Sequence, residues 1–243
     1  MSLFSKTKTF TAAVSFALIA GASHAATVEV SNQYSNTHGS YGHKSMTLTD
    51  DQAGSISASV GAFALSATGL GSFIAFCLDI DDVLRLSSQY DVTEDSSGFV
   101  PYSNTTELSL ERKSWVQKLY DTAYSTLDLT RDEDSVGFQL ALWEVVFEGD
   151  DDIAASGFDA GSGDFSASGY GDGVARANEL LAGILGNTTQ SYKLTFLESN
   201  DQRGNPQYSQ NLVTASPVPL PAAGFLLIGA LGGLAAVGRR KRA

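Results

Sequence analysis

The sequence predicts a mainly β protein with a helical insertion, an α+β chain with a β-sandwich or barrel core and about three helices. Three observations carry this. Apolar residues alternate with Ser, Thr and Gly before residue 80, the spacing turns helical between residues 106 and 186, and short apolar runs return after residue 190. With 243 residues, 43% hydrophobic and 10% aromatic, the chain has enough apolar material for one packed domain, expected over residues 26–216. Strands are expected within residues 27–80, helices within 106–186 and closing strands within 190–214.

The first 25 residues read as a secretory signal peptide. Lys6 and Lys8 precede an apolar run over residues 10–22, and Ser23, His24 and Ala25 supply a small-x-small cleavage pattern. A short buried N-terminal helix is the competing reading. Cleavage leaves Ala26 as the first residue.

Strands follow at Val28 and Val30, over residues 55–60 and over residues 73–76, with Gly54, Gly61, Gly69 and Gly71 marking turns. A first helix is predicted where Trp115, Val116, Leu119, Tyr120 and Ala123 recur at helical spacing among charged residues. A second spans residues 135–148, with Asp132, Glu133 and Asp134 at its positive end. Apolar nearly all round, it belongs in the interior, yet it carries Gln139. Residues 149–173, rich in Gly, Ser and Asp, read as a loop, and Val174, Ala177, Leu180, Leu181 and Ile184 outline a third helix. Residues 192–197 and 210–213 form a closing hairpin, with Asn205 and Pro206 near its turn.

Charge narrows the function. The net charge is −12, and the acids all fall from Glu29 to Asp201, while Lys6, Lys8, Arg239, Arg240, Lys241 and Arg242 sit at the ends. The body is therefore more acidic than the net value implies, which disfavours nucleic acid and favours cationic partners or divalent metal. A single cysteine, Cys77, excludes an internal disulfide framework and a cysteine-based zinc finger. No G-x-S-x-G elbow or phosphate-binding P-loop occurs. A cysteine hydrolase needs a base, and the histidines are His24, lost with the signal, and His38 and His43 in a Gly/Ser/Tyr-rich segment. Asp79, Asp81 and Asp82, or residues 150–152, offer carboxylates to calcium but lack EF-hand spacing, so solvated loops are the plainer reading. No cofactor or resident metal is expected.

Cys77 directly follows a strand, and Gln139 lies on the buried helix. Each has an ordinary reading, a packed thiol and an amide capping a neighbouring carbonyl. A buried carboxamide must satisfy its carbonyl and its NH2, or the structure loses about 1–3 kcal/mol, and an unprotected thiol is vulnerable outside the cell. A covalent bond between the two removes part of that demand: if the sulfur of Cys77 attacks the side-chain carbonyl carbon of Gln139, ammonia leaves and an internal thioester links strand to helix.

Here the chain resembles the Cys-Gln thioester domains of bacterial surface proteins. Phe76-Cys77-x-Asp79 matches their aromatic-Cys-x-acid pattern, and Phe138-Gln139-x-x-Leu142-Trp143 their hydrophobic-Gln-x-x-hydrophobic pattern before tryptophan. The resemblance covers about residues 69–185, including the Trp115 helix and the Gly163-Asp164-Phe165 loop. It implies a stored electrophile that couples Gln139 to an amine on a protein or glycan. Proximity in sequence suggests supporting roles, Asp79 to orient the thiol or accept a proton near it and Trp143 to shield the bond from water. Such a coupling makes the protein a single-use adhesin and not an enzyme. The alternative is a non-covalent structural or biofilm matrix protein with calcium-binding acidic loops, and a third is a secreted hydrolase.

At the C-terminus, Pro217 to Pro221 lead into an apolar stretch over residues 222–237 and then the basic cluster. This tripartite end resembles the PEP-CTERM sorting signals, in the variant whose motif is Val218-Pro219-Leu220-Pro221-Ala222. The resemblance implies a Gram-negative host, processing by an exosortase-type membrane enzyme, transient membrane residence and delivery to the surface or extracellular matrix. A plain membrane anchor is the competing reading, since the stretch is marginal for the roughly 20 residues a bilayer requires.

Overall fold

The computed structural model describes residues 26–51, 54–80, 82–94, 108–186, 190–200 and 209–218. The expected signal peptide and all but the first residues of the sorting tail lie outside them. No helix among the described residues is long and apolar enough to cross a membrane.

The fold class is the expected one, and the core is a barrel. Strands β1 (Ala26–Asn32), β4 (Phe63–Ala67), β5 (Gly71–Cys77), β9 (Leu212–Pro217), β8 (Tyr192–Ser199) and β6 (Ser88–Glu94) close on one another in that order. A second sheet has the order β3 (Gly54–Gly61), β2 (His43–Asp50), β7 (Phe165–Ser168). All pairings between these strands are antiparallel. Closure removes open edges from the larger sheet.

β6 lies beyond the stretch where strands were expected. Its sequence, Ser-Gln-Tyr-Asp-Val-Thr-Glu, carries only Tyr90 and Val92 as large apolar groups. Pairing with β1 and β8 makes it a strand and buries Tyr90 completely. The β8–β9 hairpin forms as expected, with Tyr192 opposite Pro217 and Leu197 opposite Leu212.

The helices are α1 (Leu110–Ala123), α2 (Asp132–Phe147), α3 (Asp150–Ser156) and α4 (Gly171–Ala182). Ser109 caps α1 by accepting the Arg112 N–H. The segment read as a loop over residues 149–173 instead holds α3 and β7. Asp150 opens α3 at the positive helix end, Gly157 ends it with φ of +78°, and β7 exists because β2 offers it an edge, pairing Asp50 with Phe165 and Thr47 with Ser168. α2 is the central helix, packed against α1, α4 and the second sheet, with residues 134–145 all buried. Each large side chain it buries contributes about 1.5–3 kcal/mol. Gly137 permits the approach of α4, since a Cβ there would lie 2.7 Å from Arg176 Cγ.

Candidate functional site

Cys77 is the last residue of β5, where the ladder is incomplete. On one side β9 continues, with Phe76 opposite Val213, Cys77 opposite Leu212, and Leu78 N–H donating to the Asn211 carbonyl at 2.9 Å. On the other, β4 begins at Phe63, opposite Ala75, so no β4 residue stands beside Cys77. The side chain of Gln139 fills that place. Its Oε1 accepts the Cys77 backbone N–H at 2.9 Å, and its Nε2 donates to the Cys77 carbonyl at 2.8 Å. A primary carboxamide presents one acceptor and one donor edge, as a strand residue does, and so completes the ladder from a helix.

The aromatic residue before each partner sets the alignment. Phe76 and Phe138 meet with ring centroids 4.7 Å apart, and Phe138 packs against Tyr120 at 4.9 Å and Tyr124 at 5.5 Å. Such pairs add about 0.5–1.5 kcal/mol beyond burial. They fix α2 against the end of β5 one residue from Cys77 and Gln139.

The pair is almost dry, with Cys77 and Gln139 each 1% exposed, yet both line a cavity of ≈ 550 Å³, together with Trp143, His38 and Asp82. The thiol donates to the Asp79 main-chain carbonyl at 2.8 Å. Burial, and next the Asp79 charge, push the thiol well above its ordinary range. The Trp143 indole makes no full hydrogen bond but lies near enough to the sulfur to favour its anion slightly, without reversing the effect of burial.

The structure thus brings Cys77 and Gln139 together and places Trp143 on the same cavity. The Asp79 carboxylate accepts from Asn211 backbone N–H at 2.6 Å and from Asn211 Nδ2 at 3.3 Å. It anchors the chain after β5 to the start of β9, and it is the Asp79 main chain that receives the thiol. Among the described residues no group of three or more His, Cys, Asp or Glu is placed to hold a metal ion. Asp150 ion-pairs with Arg112 at 2.5 Å, and Asp81 lies outside the described residues. Val218 donates its N–H to the Ser191 carbonyl at 2.9 Å, while Pro219, Leu220, Pro221 and Ala222 lie outside.

Two features had no clear signal in the sequence. His38, in a segment that reads as a polar loop, is 8% exposed on the cavity wall. Glu144, one residue after Trp143, is wholly buried, with Oε1 accepting the Asp159 N–H at 2.7 Å and Oε2 unpartnered. Burial, and then the neighbouring carboxylates of Glu148 and Asp159, push it up to about 8.

No family model and no curated protein matches the chain. Among solved structures, the N-terminal thioester domain of a surface protein from Clostridium perfringens aligns with 72% of this chain and 100% of its own, at 12% identity and TM-score 0.39. The N-terminal thioester domain of a protein F2 like fibronectin-binding protein from Streptococcus pneumoniae aligns with 77% of this chain and 99% of its own, at 10% identity and TM-score 0.38. Likeness this slight carries no assignment.

Proposed function

We propose that the protein is an exported surface or matrix adhesin that attaches itself covalently to amine-bearing targets through an internal thioester between Cys77 and Gln139. The supporting observation is the double hydrogen bond that holds the Gln139 carboxamide against the backbone of the cysteine whose sulfur is to attack it.

Cys77 Sγ adds to the Gln139 side-chain carbonyl carbon, and the negative charge that develops on Oε1 falls where the Cys77 N–H already donates. The C–N bond breaks, Nε2 leaves as ammonia with the thiol proton, and a thioester remains. An amine on a target later adds to the same carbon, forms an amide to Gln139 and releases the Cys77 thiol. One molecule reacts once. Trp143 and the surrounding apolar wall limit access of water to the bond, and the acidic body attracts lysine-rich partners over a range that salt shortens. The two ends of the chain supply export and exosortase-type surface sorting in this reading.

The test is intact mass of the freshly purified domain. A thioester makes it lighter than its sequence by one ammonia with no free thiol, and methylamine restores the thiol and adds its own mass; Cys77→Ala and Gln139→Ala show neither change. A wild-type mass equal to the sequence mass, with one thiol titrating fully once the protein is unfolded, rejects the thioester. The carboxamide's two bonds to Cys77 are then a structural patch in a non-covalent matrix protein.

A further inference from the structure

His38 shares the cavity of the Cys77–Gln139 pair, and its ring is held in one chemical form. Nδ1 lies 2.9 Å from the Ala62 carbonyl, which only accepts, so Nδ1 carries the proton. In the neutral ring Nε2 is then an acceptor, and its partner at 3.1 Å is the Ser59 hydroxyl, which donates to it. Ser59 is exposed on β3 and lines the cavity, while the ring is buried. The arrangement is a base, oriented by a backbone carbonyl on its far nitrogen, whose other nitrogen accepts from an exposed hydroxyl that lines the same cavity.

We infer that His38, acting through Ser59, is the proton relay for attack on the thioester: it takes the proton that the incoming amine sheds and returns one to the departing sulfur of Cys77. The inference rests on the thioester reading. As the amine nitrogen bonds to the Gln139 side-chain carbon, its surplus proton passes to Ser59 Oγ while the Ser59 proton moves to His38 Nε2. The carbon–sulfur bond then breaks, and a proton returns along the same route to give a neutral Cys77 thiol. Amine and thioester become amide and thiol, with no net gain or loss of protons. The second half of the relay is the part the site most needs. Burial and the Asp79 charge disfavour a thiolate at Cys77, so unassisted sulfur is a poor leaving group here.

The titratable groups around His38 are His43, stacked on the ring at 4.2 Å, and Cys77 and Asp82 on the cavity walls. Burial foremost, and His43 in addition, hold His38 below its ordinary range, so it is a neutral base at physiological pH.

The experiment measures methylamine coupling to full-length mature protein, wild type, His38→Gln and Ser59→Ala, by mass and thiol release from pH 5 to 9. Ammonia loss is recorded first. All three are expected to carry the thioester, with coupling per free amine slowed about 100-fold in His38→Gln, the low end for a positioned acid–base group. Ser59→Ala, a change at an exposed position, slows in the same direction. The wild-type rate per free amine falls only below the usual histidine range, and His38→Gln lacks that fall. Variants that carry the thioester and couple at the wild-type rate overturn the relay while leaving the thioester intact. Failure of His38→Gln to form the bond, with Ser59→Ala coupling normally, also overturns it. A wild type without ammonia loss overturns both readings.

Discussion

Gln139→Ala and Cys77→Ala both abolish any thioester, so neither retains a crosslink, and the difference between them isolates the carboxamide. In Cys77→Ala the backbone of residue 77 still donates to Oε1 and accepts from Nε2, and the loss is a buried sulfur with one weak S–H bond, about 1 kcal/mol. In Gln139→Ala a buried N–H and a buried C=O lose their partners, at about 1–3 kcal/mol each, with about 1 kcal/mol more for lost apolar contact. The adjoining cavity lets water reach part of the gap, which holds the hydrogen-bond loss near the lower half of that range. The expected destabilisation is about 3–5 kcal/mol, against about 5–15 kcal/mol for a typical domain. Gln139→Met keeps the bulk without the hydrogen bonds, and is expected to lose about 2–4 kcal/mol. Urea unfolding followed by circular dichroism measures all three from midpoint and slope. If Gln139→Met and Cys77→Ala unfold at the same midpoint with the same slope, the carboxamide does not complete the β5 ladder and the reasoning is wrong.

Two further predictions concern ionisable groups. Glu144 is held up at about 8 against an ordinary 4.5, so the folded state keeps a proton that the unfolded chain releases between those values. Stability therefore falls as pH rises through that window and levels above it; Glu144→Gln removes the slope and adds about 3 kcal/mol at pH 7. Melting curves of both proteins from pH 4.5 to 8.5 check this, and parallel curves would show that Glu144 is ionised in the fold. For Cys77, the thiol released by methylamine is expected to react far more slowly with iodoacetamide at pH 8 than in the same protein unfolded in urea, because burial and Asp79 suppress the thiolate; equal rates would contradict the burial.

Local pattern determined a large part of this molecule. The period-two alternation before residue 80, the helical spacing at Trp115 and the all-round apolar run of α2 each record what one element does with its own side chains, and these features are visible without partners. The nearness of Cys77 and Gln139 was legible only through the motifs around them, Phe76-Cys77-x-Asp79 and Phe138-Gln139-x-x-Leu142-Trp143; a buried amide must have a partner, but that demand alone does not say which, and the partner it finds is the Cys77 backbone. Tertiary structure decided the rest. β6 and β7 carry few apolar residues and become strands only because β1, β8 and β2 present edges to them. α3 forms where a glycine- and aspartate-rich stretch suggests only a loop, and closure of six strands into a barrel depends on β1 meeting both β4 and β6, contacts distant in sequence. The same holds at the site, where the vacancy beside Cys77 exists because β4 begins at Phe63, and His38 faces the cavity because Ala62 and Ser59 hold its two nitrogens. Sequence fixes what each residue can donate, accept or bury; which groups are left to meet is set by where neighbouring strands stop.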